Sequence, residues 1–397
     1  MVKVEEAEAI IQAERRDFGT ESVAFEQALG RVLAENLKTD RDLPPFNRVA
    51  MDGIAIRFAA FEGGTRSFPI SATQAAGEPP VDIKAATDCI EIMTGAALPP
   101  STDTVIRYED FRIENGVATV LTEDISRGQN IHAQGKDKRR HDTVAAAGQV
   151  ISPALLGMAA AVGASALQVK KLPKVVVIST GDELVDVEET PLPYQIRRSN
   201  SYMVQAALQK YQLHAHLLHI PDDAEATKAE LALCLQHYEV IILSGGISMG
   251  KFDYVPQVLE ALSVQKLFYK VQQRPGKPFW FGKHANGALV FALPGNPVST
   301  FMCLHRYFLP WLMASLGLDN PERYGVLNGD VSFQAPLQYF LQVKLGMNGQ
   351  GQVLATPFEG NGSGDFANLV EADAFLELPL GKSNFTKGEV YRIWPFR

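Results

Sequence analysis

Residues 174–185, KVVVISTGDELV, and 240–253, VIILSGGISMGKFD, decide the fold. Each opens on an unbroken apolar run rich in β-branched residues, and each run ends in a glycine-bearing turn. A strand with one wet face alternates between apolar and polar; a run without a polar break belongs to a strand covered on both faces. Between the two lie helix-period segments at 201–211 and 223–237, separated by a strand-like run at 213–220. Strands alternating with helices predict βαβ units with right-handed crossovers, hence helices on both sides of the sheet. The expectation is a multidomain α/β plus β protein whose centre is a doubly wound, mostly parallel sheet.

Outward from this centre the texture changes. Val4, Ala7, Ile10 and Ile11 recur at helical spacing among charged neighbours, which predicts an amphipathic helix over 3–17. Residues 43–150 are rich in Pro, Gly and Thr with short strand-like runs such as 117–121, as expected of a β-rich module. Pro153 stands at the tolerated first-turn position of an apolar helix over 154–162. Toward the C-terminus, alternating runs at 339–345, 374–378 and 390–393 predict a small β module.

The 397 residues suit two to four domains of about 100–200 residues each. With 46% hydrophobic and 21% charged residues, the chain is neither disordered, collagenous nor a coiled coil. A net charge of −8 lacks the footprint of a general nucleic-acid binder, yet a small anion needs only a local cluster of donors. Cys89, Cys234 and Cys303 are sparse and widely spaced, which opposes a disulfide framework and a cysteine-based zinc site. The acidic N-terminus does not read as a secretory leader, and the apolar stretch 154–167 is too short to span a bilayer. A cytoplasmic protein without membrane or nucleic-acid partners is expected.

Chemistry concentrates at the ends of the central strands. SGGISMGKFD, 244–253, follows a strand, where open α/β sheets bind ligands and where a glycine turn frees backbone N–H groups for a phosphate. Gly245 to Lys251 has P-loop spacing, but Phe252 stands where a P-loop needs Ser or Thr for magnesium, so an ordinary P-loop ATPase is excluded. A ligand-free strand-to-helix turn is the other reading. Asp182 and Glu183 place adjacent carboxylates at a strand end, suited to a hydrated magnesium or to an acidic helix-capping turn. Arg274-Pro275-Gly276-Lys277-Pro278 holds two cations on a stiff turn, and Leu293-Pro294-Gly295-Asn296-Pro297 leads from a strand into a helix. Either could be a plain loop; with the glycine turn they lean toward one anion site on one sheet edge. Farther off, Ala50-Met51-Asp52-Gly53, Met93-Thr94-Gly95 and the basic run 136–140 remain candidates, the last reading equally as a solvated loop. His214 and His216 share one strand face and His219 takes the other, which opposes a zinc site.

Taken together, LPPFNRVAMDGIAIR (43–57), IMTGAALPPSTDTVIRYED (92–110), STGDELV (179–185), SNSYMV (199–204), SGGISMGKFDYV (244–255), RPGKPFWFG (274–282) and ALPGNPVS (292–299) resemble the molybdopterin molybdenumtransferase family. That family includes the bacterial molybdate-inserting enzymes and the E domain of gephyrin. The resemblance runs in family order over most of the chain. It implies an elongated N-terminal module from 1–43 with 140–172, an inserted β-rich module at 44–139, a molybdopterin-binding α/β domain at 173–320 and a C-terminal β module at 321–397. It also implies a homodimer whose active site is shared between subunits, and a molybdopterin adenylyltransferase as supplier. The implied reaction takes adenylylated molybdopterin and molybdate to molybdenum cofactor and AMP, with Mg2+ required.

Carried over residue by residue, the resemblance assigns catalysis to Asp52, Thr94, Glu183, Asp253 and Lys277. It assigns substrate binding to Gly245, Gly246, Ser248, Gly250, Arg274, Pro294, Asn296, Pro297, Ser299 and Ser363, and metal binding to Asp182, Glu183 and Asp253. The sequence departs from the family at Arg274, where Lys is usual, and at Lys251, where an acid is usual before Asp253. Gln338 and Gln342 stand in a segment where the family usually has oxyanion-binding arginines. That last departure supports an alternative, a pterin-binding scaffold with weak or no transfer; a third reading is another nucleotide-dependent enzyme on the same fold.

Overall fold

The computed structural model describes residues 1–247 and 254–397. Among these, six strands build the central sheet in the spatial order His216–Ile220, Val175–Thr180, Val240–Ser244, Leu289–Leu293, Trp280–Lys283, Gln265–Tyr269. The first four pair in parallel, with Val176 opposite both His216 and Ile241, and Ile242 opposite Phe291. The last two join antiparallel, so the sheet is mixed. The cause is local. Only 284–288 connects Trp280–Lys283 to Leu289–Leu293, with Gly287 at φ +95° donating its N–H to His284. So short a link can make a hairpin but not the crossover that parallel neighbours need.

The unbroken apolar runs resolve into two cores by alternation. Val175, Val177, Val240, Ile242, Phe291 and Leu293 pack with the helices Asn200–Gln209, Pro297–Cys303 and Leu309–Ser315. Val176, Ile178, Ile241, Leu243, Val290 and Ala292 pack with Ala224–His237 and Val255–Ala261 on the other face. Phe291 sits centrally in the first core, its ring centroid 4.7 Å from Phe281, 5.1 Å from Phe308 and 5.6 Å from Trp311. Phe291→Ala should therefore destabilise the protein by about 3–5 kcal/mol. Urea unfolding followed by tryptophan fluorescence measures the shift; a loss near 1 kcal/mol would mean that the cluster collapses into the void.

The helix Val4–Ala13 buries Val4, Ala7 and Ile11 in that same first core. It stops short of residue 17 because Arg16 turns toward the sheet and donates to the carbonyls of Gly287 (3.0 Å) and Glu239 (3.2 Å). Thr20–Ala24 pairs antiparallel with Ala166–Lys170, and Leu37–Lys38 with Thr143–Ala145. Between these segments, a separate sheet with the order Thr104–Arg107, Gly53–Ile56, Cys89–Ile92, Ser67–Gln74, Val117–Val120, Phe111–Glu114 encloses its own core around Ile54, Phe68 and Ile106. Ser152 caps the helix Pro153–Ala161 by accepting from the N–H of Leu155 at 3.2 Å.

In the C-terminal region, Gln338–Met347 pairs antiparallel with both Val353–Pro357 and Ala374–Leu378, so five strands close on themselves. Period-two alternation turns Tyr339, Leu341 and Val343 toward that module's core. Gln338, Phe340 and Gln342 take the opposite face, where Phe340 joins the core of the central sheet. One more strand comes from outside: Gln273–Arg274 pairs in parallel with Gln338–Tyr339. The segment that leads into Pro275-Gly276-Lys277 is thereby an edge of the C-terminal sheet. Among the described residues, no helix is long and apolar enough to cross a membrane.

Candidate functional site

A cavity of about 630 Å³ opens at the carboxyl ends of the central strands. Thr180, Gly181 and Glu183 enter it from Val175–Thr180, and Asp222 from the loop after His216–Ile220. Gly245, Gly246 and Ile247 follow Val240–Ser244, while Pro294, Gly295, Asn296 and Ser299 follow Leu289–Leu293. The opposite wall is the turn from Gln273 to Pro278, with Leu337 and Ser363 from the C-terminal region. Parallel strands pointing the same way force their following loops together, so residues more than a hundred positions apart line one cleft.

The local geometry has identifiable causes. Gly181 has φ +134°, and a Cβ built there would stand 2.2 Å from Glu183 Oε2. Any side chain at 181 would displace the Glu183 carboxylate from its place against the backbone. Asn200, at the start of its helix, ties that helix to a strand end, a loop and a second helix: its Nδ2 lies 2.8 Å from Ser244 Oγ, 2.7 Å from Gly295 O and 3.3 Å from Thr300 Oγ1. Asn296 Nδ2 donates to Ser363 Oγ at 2.8 Å, and Val298 N to Ser363 O at 3.2 Å, tying the C-terminal region to the cleft. Arg274 and Lys277 are both exposed, and among the described residues neither forms an ion pair with a carboxylate; the Arg274 guanidinium lies 5.7 Å from the Phe333 ring. Two cations held on a stiff turn without acidic partners suit an anionic ligand.

Family models match the chain in three consecutive pieces. They are the MoeA N-terminal region (domain I and II) at 2–163, the probable molybdopterin binding domain at 176–314 and the MoeA C-terminal region (domain IV) at 324–396. The molybdopterin molybdenumtransferase of Synechocystis sp. is 38% identical over 397 residues, covering 99% of this chain and 100% of that protein. The chain belongs to the molybdopterin molybdenumtransferase family. The Haemophilus influenzae molybdopterin molybdenumtransferase is 31% identical, covering 95% of this chain and 94% of that protein. The solved structure of the molybdopterin biosynthesis MoeA protein from Pyrococcus horikoshii superposes with a TM-score of 0.83 at 29% identity, over 100% of this chain and 99% of that one.

For this member of the molybdopterin molybdenumtransferase family, Glu183, Gly245, Gly246, Arg274, Lys277, Pro294, Asn296, Ser299 and Ser363 meet at the cavity wall. Pro297 instead begins the helix Pro297–Cys303 behind that wall. Asp182 does not line the cavity: its Oδ1 accepts the N–H of Asp222 at 3.0 Å, and its own N–H points to Asp222 Oδ2 at 3.4 Å, fastening two loops together. Ser248, Gly250 and Asp253 lie outside the described residues. Asp52 and Thr94 are adjacent to each other but lie in the N-terminal region, in the bend before Gly53–Ile56 and the turn after Cys89–Ile92. The N–H of Thr94 donates to Asp52 Oδ1 at 2.6 Å, and hydrogen bonds from the Thr94 backbone and hydroxyl hold the Asp52 carboxyl below its ordinary range.

The two glutamines separate in the structure. Gln342 lines a second cavity of about 410 Å³, which shares Arg274, Pro275 and Ser363 with the first. Among the described residues its buried Oε1 has no hydrogen-bond partner. Gln338 instead donates through Nε2 to Glu377 Oε1 at 2.5 Å and does not line that cavity. Asn200, Asp222 and Gln273 are site residues that the sequence reading did not assign. Asn200 had a usable signal in SNSYMV at a helix start; Asp222 and Gln273 had none, because their place depends on pairings between distant segments.

Proposed function

We propose that this transferase inserts molybdate into adenylylated molybdopterin, releasing AMP and giving molybdenum cofactor in a Mg2+-dependent reaction. The observation that carries the reading is the convergence of Gly245-Gly246, the Arg274–Lys277 turn, Asn296 and Ser363 on one cleft in a chain of this family. Arg274 and Lys277 neutralise the oxyanions of the phosphoanhydride, and the side-chain-free edge at Gly245-Gly246 lets the ligand approach the backbone. Charge that develops on the departing phosphate is met by these fixed cations, so no covalent nucleophile is required.

The donors fit a magnesium ion. Glu183 and Asp222 both line the cavity, and Mg2+ is commonly held by one or two carboxylates with the remainder of its shell from water and substrate phosphate. When bound it would polarise the phosphoanhydride. Asp182 sets the Asp222 loop, and Asp253 is a further proposed ligand. We assign molybdate to the cavity lined by Gln342 and Ser363, which shares Arg274 with the phosphate cleft. The pair Asp52 and Thr94 is supplied to this cleft by the second subunit of a homodimer, and a molybdopterin adenylyltransferase supplies the substrate.

The purified protein, incubated with adenylylated molybdopterin, Mg2+ and molybdate, should release AMP in proportion to cofactor formed. No AMP at any molybdate concentration, with the substrate still bound, would establish the scaffold reading. That reading draws on Gln342, whose unpaired oxygen is an acceptor where an oxyanion needs donors.

A further inference from the structure

The helix behind the cavity is irregular. Pro297–Cys303 passes through a π-helical turn, Leu304–Phe308, before continuing as Leu309–Ser315. A π turn shifts the side chains that follow it out of helical register, and such turns concentrate where a specific side chain must be presented. Here two polar side chains are turned into the interior: Tyr307, 1% exposed, and Arg306, 2% exposed.

Both lead to the cation-bearing turn. The Tyr307 hydroxyl donates to Gln273 Oε1. Gln273 is fully buried, and its Nε2 donates to the carbonyl of Gly276 at 3.0 Å. A single amide therefore joins the tyrosine to the middle of the turn that carries Arg274 and Lys277. Gly276, at φ +88°, is pressed against the same helix: a Cβ there would lie 2.7 Å from Cys303 Sγ and 2.9 Å from Gln273 Nε2. Arg306 acts on the partner strand. Its Nη2 bonds Glu8 Oε2 at 2.7 Å and its Nε lies 3.3 Å from Glu377 Oε2. Glu377 accepts in turn from Gln338, which is the register partner of Gln273.

A buried amide and phenol contribute little net stability over apolar side chains of the same shape, but they fix direction, because each unmade bond is costly. We propose that Tyr307 is a positioning residue for the reaction: through Gln273 it sets the height of the Gly276 carbonyl, and so the approach of Arg274 and Lys277 to the ligand's anionic group. The inference rests on the proposed role of that turn and adds a residue that touches neither ligand nor metal.

Tyr307→Phe removes only the hydroxyl and keeps the ring against Phe279. It should lower kcat/KM for AMP release by about 10–100-fold, chiefly through KM for adenylylated molybdopterin, since small misplacements of a binding group have effects of that size. Gln273→Asn, which keeps the amide but cannot span both partners, should give the same KM change. In the double variant Tyr307→Phe/Gln273→Asn the loss should not exceed the larger single loss, as for two members of one interaction. Phe308→Leu is the control for packing alone: it should lower the melting temperature with KM unchanged. The decisive comparison is with Lys277→Ala. If Lys277→Ala lowers kcat/KM while Tyr307→Phe and Gln273→Asn leave it within about twofold of the parent, the positioning role is wrong and the turn's role stands. If Lys277→Ala leaves kcat/KM within about threefold of the parent, the assignment of the turn falls and the positioning role with it.

Discussion

Lys277→Ala should reduce kcat/KM for AMP release from adenylylated molybdopterin by about 10²–10³-fold, the range found when one fixed group facing developing charge is removed. The argument is electrostatic. The side chain is exposed, its turn forms one wall of the cleft, and no carboxylate among the described residues forms an ion pair with it. Its charge is therefore available to the ligand rather than already neutralised within the protein. For the same reason the substitution leaves no orphaned partner, and stability should stay within about 0.5 kcal/mol of the parent. Arg274→Lys tests a narrower point: an ammonium keeps the charge but loses the planar fork that can grip two oxygens and lie over Phe333. A weaker effect is expected there than for Lys277→Ala. Steady-state AMP release with thermal melts on the same samples measures all three terms. A rate within about threefold of the parent for Lys277→Ala would remove the turn from the anion site, because a fixed charge next to a phosphoanhydride cannot be that unimportant.

Much of the centre was legible because its cause is local. The run at 175–178 has no polar break, and the structure divides it by alternation between two cores, as a strand covered on both faces requires. Glycine and proline punctuation marked the loops after the strands, and those loops meet at the cavity because their strands are parallel neighbours. The antiparallel pair leaves no mark in the hydrophobic pattern; only the link at 284–288, too short for the crossover that a parallel neighbour needs, encodes it. The role of Gln273 was hidden for a different reason. Its strand has two residues and pairs with Gln338, sixty-five positions away, so no period betrays it. Asp182 and Glu183 are adjacent and chemically alike, yet only one lines the cavity while the other bonds the N–H of Asp222. Sequence cannot rank two neighbouring carboxylates; the loop that each one meets does. Gln338 and Gln342 show the same limit on a strand, where sharing a face did not mean sharing a cavity.

On the proposal of a homodimer with a shared site, a heterodimer that carries Asp52→Ala in one subunit and Lys277→Ala in the other should recover about half the activity of the parent, while each variant homodimer stays near background. The reasoning starts from where Asp52 lies. It is exposed, in the bend before Gly53–Ile56 of the N-terminal region, and the residues that line the central cavity do not include it or Thr94. Its carboxylate is nonetheless held in one place. The short bond from the Thr94 N–H fixes the carboxylate, and the lowered pKa keeps it ionised below the usual carboxylate range. That sign means the charge persists through any neutral assay, so activity should not titrate with Asp52 between pH 6 and 8, an interval about two units or more above an ordinary aspartate pKa. A fixed anion so placed gains a role in the chemistry if it completes the cleft of a second subunit. Each site then draws Lys277 from one chain and Asp52 from the other. In the mixed dimer both lesions fall in the same site, and the other site is intact. Co-expression with two different affinity tags isolates the heterodimer, and AMP release per dimer is the readout. Were Asp52 and Lys277 to serve a site within one chain, both sites of the heterodimer would carry a lesion and no activity would return.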